Sequence, residues 1–300
     1  MADIVVVGSL NHDLTVITSS HPRPGETVLG RGHYWDNGGK GANQAVAVAR
    51  MGGSVAMVGR VGDDLHGHGL RKALAAEGVD VEGVGFDRGA ATGLAVITID
   101  DAAENTIVVS PGANARLTPE HIEAQHDQIA AGGVVLAQLE VPIDAVAAAA
   151  RLVDGIFCLN PAPATELPSE VLARTDVLIP NRGELGVLAG VTEPVSIDEV
   201  IAAARKLRID AAIVVTLGSD GALLLWDGEA DRFPAPEVEA VDPTGAGDAF
   251  CGALADALGR DLSLEVAVER ATAAGSLATT TRGAQSSMPT SQQVERLLSD

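Results

Sequence analysis

Six short runs of β-branched and aliphatic residues, Ile4 to Gly8, Val55 to Gly59, Val134 to Leu139, Ile156 to Asn160, Val177 to Pro180 and Ile213 to Leu217, alternate with longer Ala/Leu-rich stretches of helical period. Continuously apolar strands joined by helix-length connections bury both faces of a mostly parallel sheet under helices. The fold class is therefore α/β, read as a three-layer α/β/α core. Two stretches, at about 14–35 and 92–110, break this rhythm by alternating apolar and polar residues between turn signals. That is the pattern of an antiparallel sheet with one wet face. We read them as insertions forming a small β-sheet lid on a single domain, 1–300, since no repeat, low-complexity tract or Pro/Ser linker divides the chain.

Polar residues follow several strands: Asn11 and Asp13 after the first, Glu140 after the third, Asn160 after the fourth, Asn181 after the fifth. An open α/β sheet binds its ligands there, in the crevice outside the carboxyl ends of the strands. Asn11 and Asp13 also suit an ordinary turn. The lone Gly8 after the first strand lacks the further glycines of a dinucleotide fingerprint, which argues against a nicotinamide enzyme.

Composition narrows the partners. With 46% hydrophobic and 20% charged residues the chain reads as a globular enzyme, and its formal charge of −21 repels the backbone of nucleic acid. No apolar run reaches membrane-spanning length and no basic leader precedes Ile4, so we expect no membrane partner and a cytoplasmic location. Cys158 and Cys251 lie far apart in apolar patterns, giving no disulfide framework and implying a reducing compartment. His66 and His68 read as surface residues, and no Cys/His cluster suggests zinc.

The run Asp242-Pro243-Thr244-Gly245-Ala246-Gly247-Asp248 opens a helical stretch. Small residues at a helix N-terminus expose backbone N–H groups that attract an anion. A carboxylate in the same first turn is placed to act as a general base beside a phosphate. Its plain alternative is a glycine turn with Asp248 as a helix cap. A second run, Asn37-Gly38-Gly39-Lys40-Gly41-Ala42-Asn43-Gln44, opens the first long helix and puts Lys40 and Asn43 on one face, a cation and an amide suited to a hydroxylated substrate facing phosphate. It is not a P-loop, which requires Gly where Tyr34 stands and Ser or Thr where Gly41 stands.

These two runs resemble the two signatures of the phosphofructokinase-B-type carbohydrate kinases. Gly39-Lys40-Gly41-Ala42-Asn43-Gln44 and Asn160-Pro161-Ala162-Pro163 are similar, within that family, to the ribokinases. The likeness continues through Gly8 to Asp13, Gly112-Ala113-Asn114, Gln138-Leu139-Glu140 and Arg282 to Gln285, nearly end to end. It implies a ribokinase-like fold and ATP-dependent phosphorylation of D-ribose at its 5-hydroxyl, with Asp248 as base and Gly245, Ala246 and Gly247 forming the anion hole. The other readings kept open are a same-fold kinase for fructose, adenosine or another nucleoside, and a non-catalytic sugar-binding regulator.

By the same resemblance Asn11, Asp13, Gly39, Lys40, Asn43 and Glu140 contact the sugar. A pocket that hydrogen-bonds every hydroxyl makes deoxyribose a poor substrate. Thr216, Gly218, Ser219 and Gly221 let backbone approach the nucleotide, although that stretch also reads as a hairpin. Adenine would lie against the helix holding Thr272. Asn181 and Glu184 match an Asn-x-x-Glu element associated with Mg²⁺, and the loop of Asp242, Thr244, Ala278, Thr281, Gly283 and Ser287 matches one that holds K⁺. The resemblance further implies a homodimer formed by clasped lids.

Overall fold

The computed structural model describes residues 2–102 and 104–299. Its strands, in chain order, are β1 (Ile4–Val7), β2 (Asn11–Ile17), β3 (Gly32–Gly38), β4 (Val55–Gly62), β5 (Val84–Asp87), β6 (Gly93–Ile99) and β7 (Asn105–Ser110). They continue with β8 (Val134–Ala137), β9 (Ile156–Leu159), β10 (Val177–Leu178), β11 (Ala212–Thr216), β12 (Ala222–Trp226) and β13 (Glu229–Phe233). All six expected runs are strands of one nine-stranded sheet, in the order β13-β12-β11-β10-β9-β8-β1-β4-β5. From β11 to β5 every pairing is parallel, and the β12–β13 hairpin closes one edge antiparallel.

The period of two in β1 shows how both faces are filled. Ile4 and Val6 enter one apolar core, while Val5 and Val7 enter the other. The first core takes the helices Lys40–Arg50, Ala246–Gly259 and Leu264–Ala278, and the second takes Ile143–Leu152. Helix Ala246–Gly259 is apolar nearly all round and buried from Asp248 to Leu258, the expected state of a helix packed on several sides. Its Gly252 faces helix Lys40–Arg50 so closely that an added Cβ would lie 2.4 Å from the Ala47 Cβ and 2.8 Å from the Gln44 carbonyl oxygen. That close crossing, one turn beyond Asp248, is what brings Asp248 against Asn43 and Gln44.

The two lid insertions form a four-stranded sheet in the order β3-β2-β6-β7. Here the antiparallel expectation needs correcting. β2–β3 and β6–β7 are antiparallel hairpins, but β2 and β6, which join them, run parallel, with Asn11 opposite Gly93 and Ile17 opposite Ile99. Both strands leave the large sheet from the carboxyl-end side, β2 after β1 and β6 after β5, so they must point the same way. The first insertion also starts earlier than about residue 14. Asn11 and Asp13 are strand residues at the foot of the small sheet and not turn residues.

Candidate active site

The carboxyl ends of β1, β8, β9, β10 and β11 deliver Asn11, Glu140, Asn160, Asn181 and Thr216 to one side of the large sheet. Facing them are two helix N-termini. Helix Ala246–Gly259 starts at Gly245, whose φ of 78° and missing side chain leave the first turn without a side-chain cap. The first hydrogen bond of that helix runs from the Ala249 N–H to the Gly245 carbonyl, so the Gly247 and Asp248 N–H groups have no intrahelical acceptor. Of the expected Gly245, Ala246 and Gly247 cradle, the Ala246 N–H is already bonded to the Pro243 carbonyl at 3.2 Å.

Asp248 is 8% exposed, and both its oxygens are held. Oδ2 accepts from Asn43 Nδ2 at 2.9 Å and Oδ1 from Gln44 Nε2 at 3.0 Å. Gln44 is fixed in turn by Gln138 Nε2, which donates to its Oε1 at 2.6 Å, and by its own donation to Asn160 Oδ1 at 3.3 Å. Neighbouring residues on a helix point about 100° apart, so Asn43 and Gln44 approach the carboxylate from two directions and leave its orientation no freedom.

Lys40, at the start of the other helix, stands among Asp248, Glu140 and Glu184. Burial alone would lower its pKa, and the three carboxylates outweigh that and raise it, so Lys40 is a firmly charged ammonium. Glu140 Oε2 accepts from Ser9 Oγ at 2.6 Å and from the Lys40 backbone N–H at 3.1 Å. Asn11 Oδ1 accepts from Asn114 Nδ2 at 2.8 Å. Gly39 has φ 88° and lies on the chain at Leu10–Asn11, where a Cβ would be 2.7 Å from the Asn11 nitrogen. Asp13 is cross-strand partner to Asp36, and its carboxyl is pushed up to about 7, first by burial and then by Asp36, Glu140 and Asp248. The residues expected to meet the sugar therefore gather around Asp248.

A pocket of about 140 Å³ lies between Lys40, Asn160, Asn181, Glu184, Thr216, Gly245, Gly247, Asp248 and Cys251. Beyond it a cavity of about 800 Å³ is lined by Thr216, Gly218, Ser219, Gly221, Gly247, Phe250 and Thr272, and the two share Thr216 and Gly247. Thr272 turns its hydroxyl back to the Val268 carbonyl at 2.8 Å, so it offers this cavity only its methyl group. Asn181 and Glu184 form a reciprocal helix cap: Asn181 Oδ1 accepts from the Glu184 N–H and Glu184 Oε2 from the Asn181 N–H, both at 2.8 Å. Burial pushes the Glu184 carboxyl up, with Asp248 adding to the effect and the Asn181 N–H and Lys40 opposing it.

Asp242 binds its own loop. Oδ1 accepts from the Thr244 N–H and Oδ2 from the Gly283 N–H, both at 3.0 Å. Burial opposes ionisation of Asp242, but these N–H donors and Arg282 outweigh it and leave the pKa lowered. The Ser287 hydroxyl reaches the Thr244 carbonyl at 3.5 Å, and the Thr281 N–H bonds to the Ala278 carbonyl, so all six residues of the expected cation loop belong to one connected segment pair. His66 and His68 are exposed, as expected, and His66 packs against His12 with its ring tilted by 34°. Among the described residues no cluster of three or more His, Cys, Asp or Glu is arranged to hold a metal.

The pfkB family carbohydrate kinase profile matches residues 1–291. The chain belongs to the pfkB family of carbohydrate kinases. Within it, the ribokinase of Bacillus subtilis is 38% identical over 100% of both chains, and the deoxyribokinase of Salmonella typhimurium is 36% identical over 99% of each. The structure of Arabidopsis thaliana ribokinase complexed with ribose and ATP superposes with a TM-score of 0.93 at 33% identity, covering 100% of this chain and 99% of that one. The α/β fold and the carbohydrate kinase activity expected from the sequence both stand.

Several residues of this kinase site were not singled out in the sequence. Gln44 holds the Asp248 carboxylate and Gln138 holds Gln44, yet a glutamine within an Ala/Val helix, as Gln44 is, reads as an ordinary helix former. Asp36 precedes an Asn-Gly-Gly turn and reads as part of it. Cys251 is buried, as its apolar setting suggested, but it also lines the small pocket, where burial, Asp248 and Glu184 push its thiol well up.

Proposed function

We propose that this kinase transfers the γ-phosphoryl group of ATP to the 5-hydroxyl of D-ribose. The observation that carries the reading is Asp248: a buried carboxylate locked by two amides, at the first turn of a helix whose free N–H groups open on the pocket next to the larger cavity. Sugar hydroxyls are met by Asn11, Asp13, Asn43 and Glu140, with the Gly39 backbone beneath. Asp248 accepts the proton of the attacking hydroxyl. The Gly247 and Asp248 N–H groups, with Lys40, steady the charge that gathers on the phosphoryl oxygens. The nucleotide lies in the cavity of Thr216, Gly218, Ser219 and Gly221.

Glu184 keeps one carboxylate oxygen outside its helix cap and faces the pocket, a donor type that suits a hydrated Mg²⁺, which would neutralise phosphate charge when bound. The carbonyls around Thr244, Ala278, Thr281, Gly283 and Ser287, with Asp242, are hard oxygen donors of the type K⁺ takes. The small sheet acts as a lid over the sugar on one functional unit. Exposed Tyr34, Trp35, Ile107, Val108 and Val109 on that sheet support a homodimer formed through it. A cytoplasmic enzyme with no nucleic-acid or membrane partner fits the charge of −21 and the lack of any described helix long and apolar enough to span a membrane.

The relative named a deoxyribokinase favours a second reading, in which the sugar lacks its 2-hydroxyl. ADP release measured over ribose, 2-deoxyribose, fructose and adenosine separates the two. Ribose should give the highest kcat/KM, and a preference for any of the others would overturn the assignment.

A further inference from the structure

Residues directly opposite in an antiparallel pair project from the same face, and Asp36 of β3 is opposite Asp13 of β2. We propose that Asp36 is a positioning residue for the sugar, acting through Asp13 to decide whether that side chain meets the sugar hydroxyls as a carboxylate or as a carboxylic acid. This rests on the reading of Asp13 as a sugar contact.

The pair has no permanent cation of its own; the basic group that feels Asp36 is His12, whose pKa burial and His66 lower. The ionisable groups facing Asp13 are Asp36 on β3, Glu140 beyond β8 and Asp248 on helix Ala246–Gly259, all of one sign. Lys40 answers Asp248, Glu140 and Glu184, and Asp13 is not among its partners. Asp13 also cannot retreat. Its Oδ2 packs over Gly38, where a Cβ would be 2.0 Å away, and its Oδ1 is buried without a hydrogen-bond partner.

Asp36 is half-buried and anchored by its neighbour. Its Oδ1 accepts from the Asn37 N–H at 2.8 Å, and its Oδ2 lies against Gly283, where a Cβ would be 2.9 Å from it. Asp13 therefore cannot swing into solvent to escape Asp36. Asp13 consequently changes form near neutrality, at about 7, where an ordinary aspartate would be ionised throughout. As a carboxylate it accepts from two hydroxyls, and as an acid it gives up one acceptor for a donor. Sugar affinity should therefore fall as the pH drops through this range.

The test is the pH dependence of kcat and of sugar KM, from about pH 5.5 to 9, in the wild type, D36N and D36E. D36N keeps the acceptor for the Asn37 N–H and removes only the charge. Its acid limb in kcat/KM for ribose should move down by roughly one pH unit, the effect of losing a neighbouring like charge. The D36E limb should stay near the wild-type position, and the D36N displacement should appear in KM and not in kcat. An unmoved D36N limb, or a loss equal at every pH, overturns the proposal. Carbon-13 titration of the Asp13 carboxyl in the wild type decides the matter independently of any variant's folding, since an ordinary aspartate pKa there would also overturn it. Absence of ribose binding at any pH would instead count against the proposed substrate.

Discussion

Gln44 donates its side-chain amide to Asp248 Oδ1 at 3.0 Å, joining residues 204 apart in the chain across the close helix crossing at Gly252. With Asn43 on the other oxygen, it fixes the carboxylate before any substrate arrives. For the proposed role of Asp248 as base, such preorganisation removes reorientation of the carboxylate from the barrier.

Asp248→Asn preserves shape and one of the two amide contacts, sets its NH2 against the other amide donor, and cannot take a proton. Its kcat should fall by about 10²–10⁴-fold, while calorimetric sugar affinity changes little. Turnover close to wild type in a coupled ADP assay would remove Asp248 from the role of base.

Gln44→Met keeps side-chain volume and deletes the amide. Loss of one hydrogen bond to the charged carboxylate should lower kcat roughly tenfold. The Gln138 amide is left without its 2.6 Å acceptor, so denaturant unfolding should show a stability loss of about 1–3 kcal/mol. Unchanged kcat with reduced stability would mean that Gln44 serves packing alone.

Asp13 carries a stability cost whose sign can be worked out. Its folded pKa of about 7 lies above the unfolded value near 4, so the native state binds the extra proton, and stability declines as the pH rises from about 4 to 7. Asp13→Asn abolishes that decline. The variant should be more stable than wild type at pH 8 by on the order of 2–4 kcal/mol, and no more stable near pH 4. Its sugar KM should rise at the same time. Thermal melts at the two pH values check this, and equal wild-type and variant melting at pH 8 would refute it.

On the opposite face of β2, His12 stacks on Trp35 with ring centroids 4.7 Å apart and packs tilted against His66 of helix Leu65–Ala76 at 4.4 Å, so the rings tie the small sheet to the core. Burial and His66 lower the His12 pKa, against the smaller opposing effects of Asp36 and Asp64. A lowered histidine contributes stability above its unfolded pKa near 6.5 and loses it as the pH falls from there through the lowered folded value. His66→Ala should remove part of that acid sensitivity and, by loosening the sheet, raise sugar KM more than it lowers kcat. An identical acid limb in the melting profile of His66→Ala would show that the ring pair carries no such linkage.

What could be read from residues alone follows a physical divide. Strands such as Ile4–Val7 and Val134–Ala137 are legible because burial on both faces demands unbroken apolar runs. Val84–Asp87 is not, since a short half-buried edge strand carries little pattern. Alternation reveals that β2 and β6 are half-exposed but says nothing of their relative direction, which depends on where each leaves the large sheet. Asp248 and Asn43 stand out through glycine-rich surroundings that few folds tolerate without a ligand. Gln44, Gln138 and Asp36 acquire their roles only from tertiary neighbours: the first two stand inside runs that carry the family resemblance, but nothing local shows what any of the three holds.

The parallel join between β2 and β6 has a consequence for how the protein is made. Asn11 and its partner Gly93 are separated by the whole first part of the core, so the small sheet cannot zip up as a local hairpin does. On a ribosome the β2–β3 ribbon must wait, with one edge bare, until β4, β5 and then β6 emerge. Late closure of that seam, and a risk of strand-to-strand misassembly before it, are built into the topology.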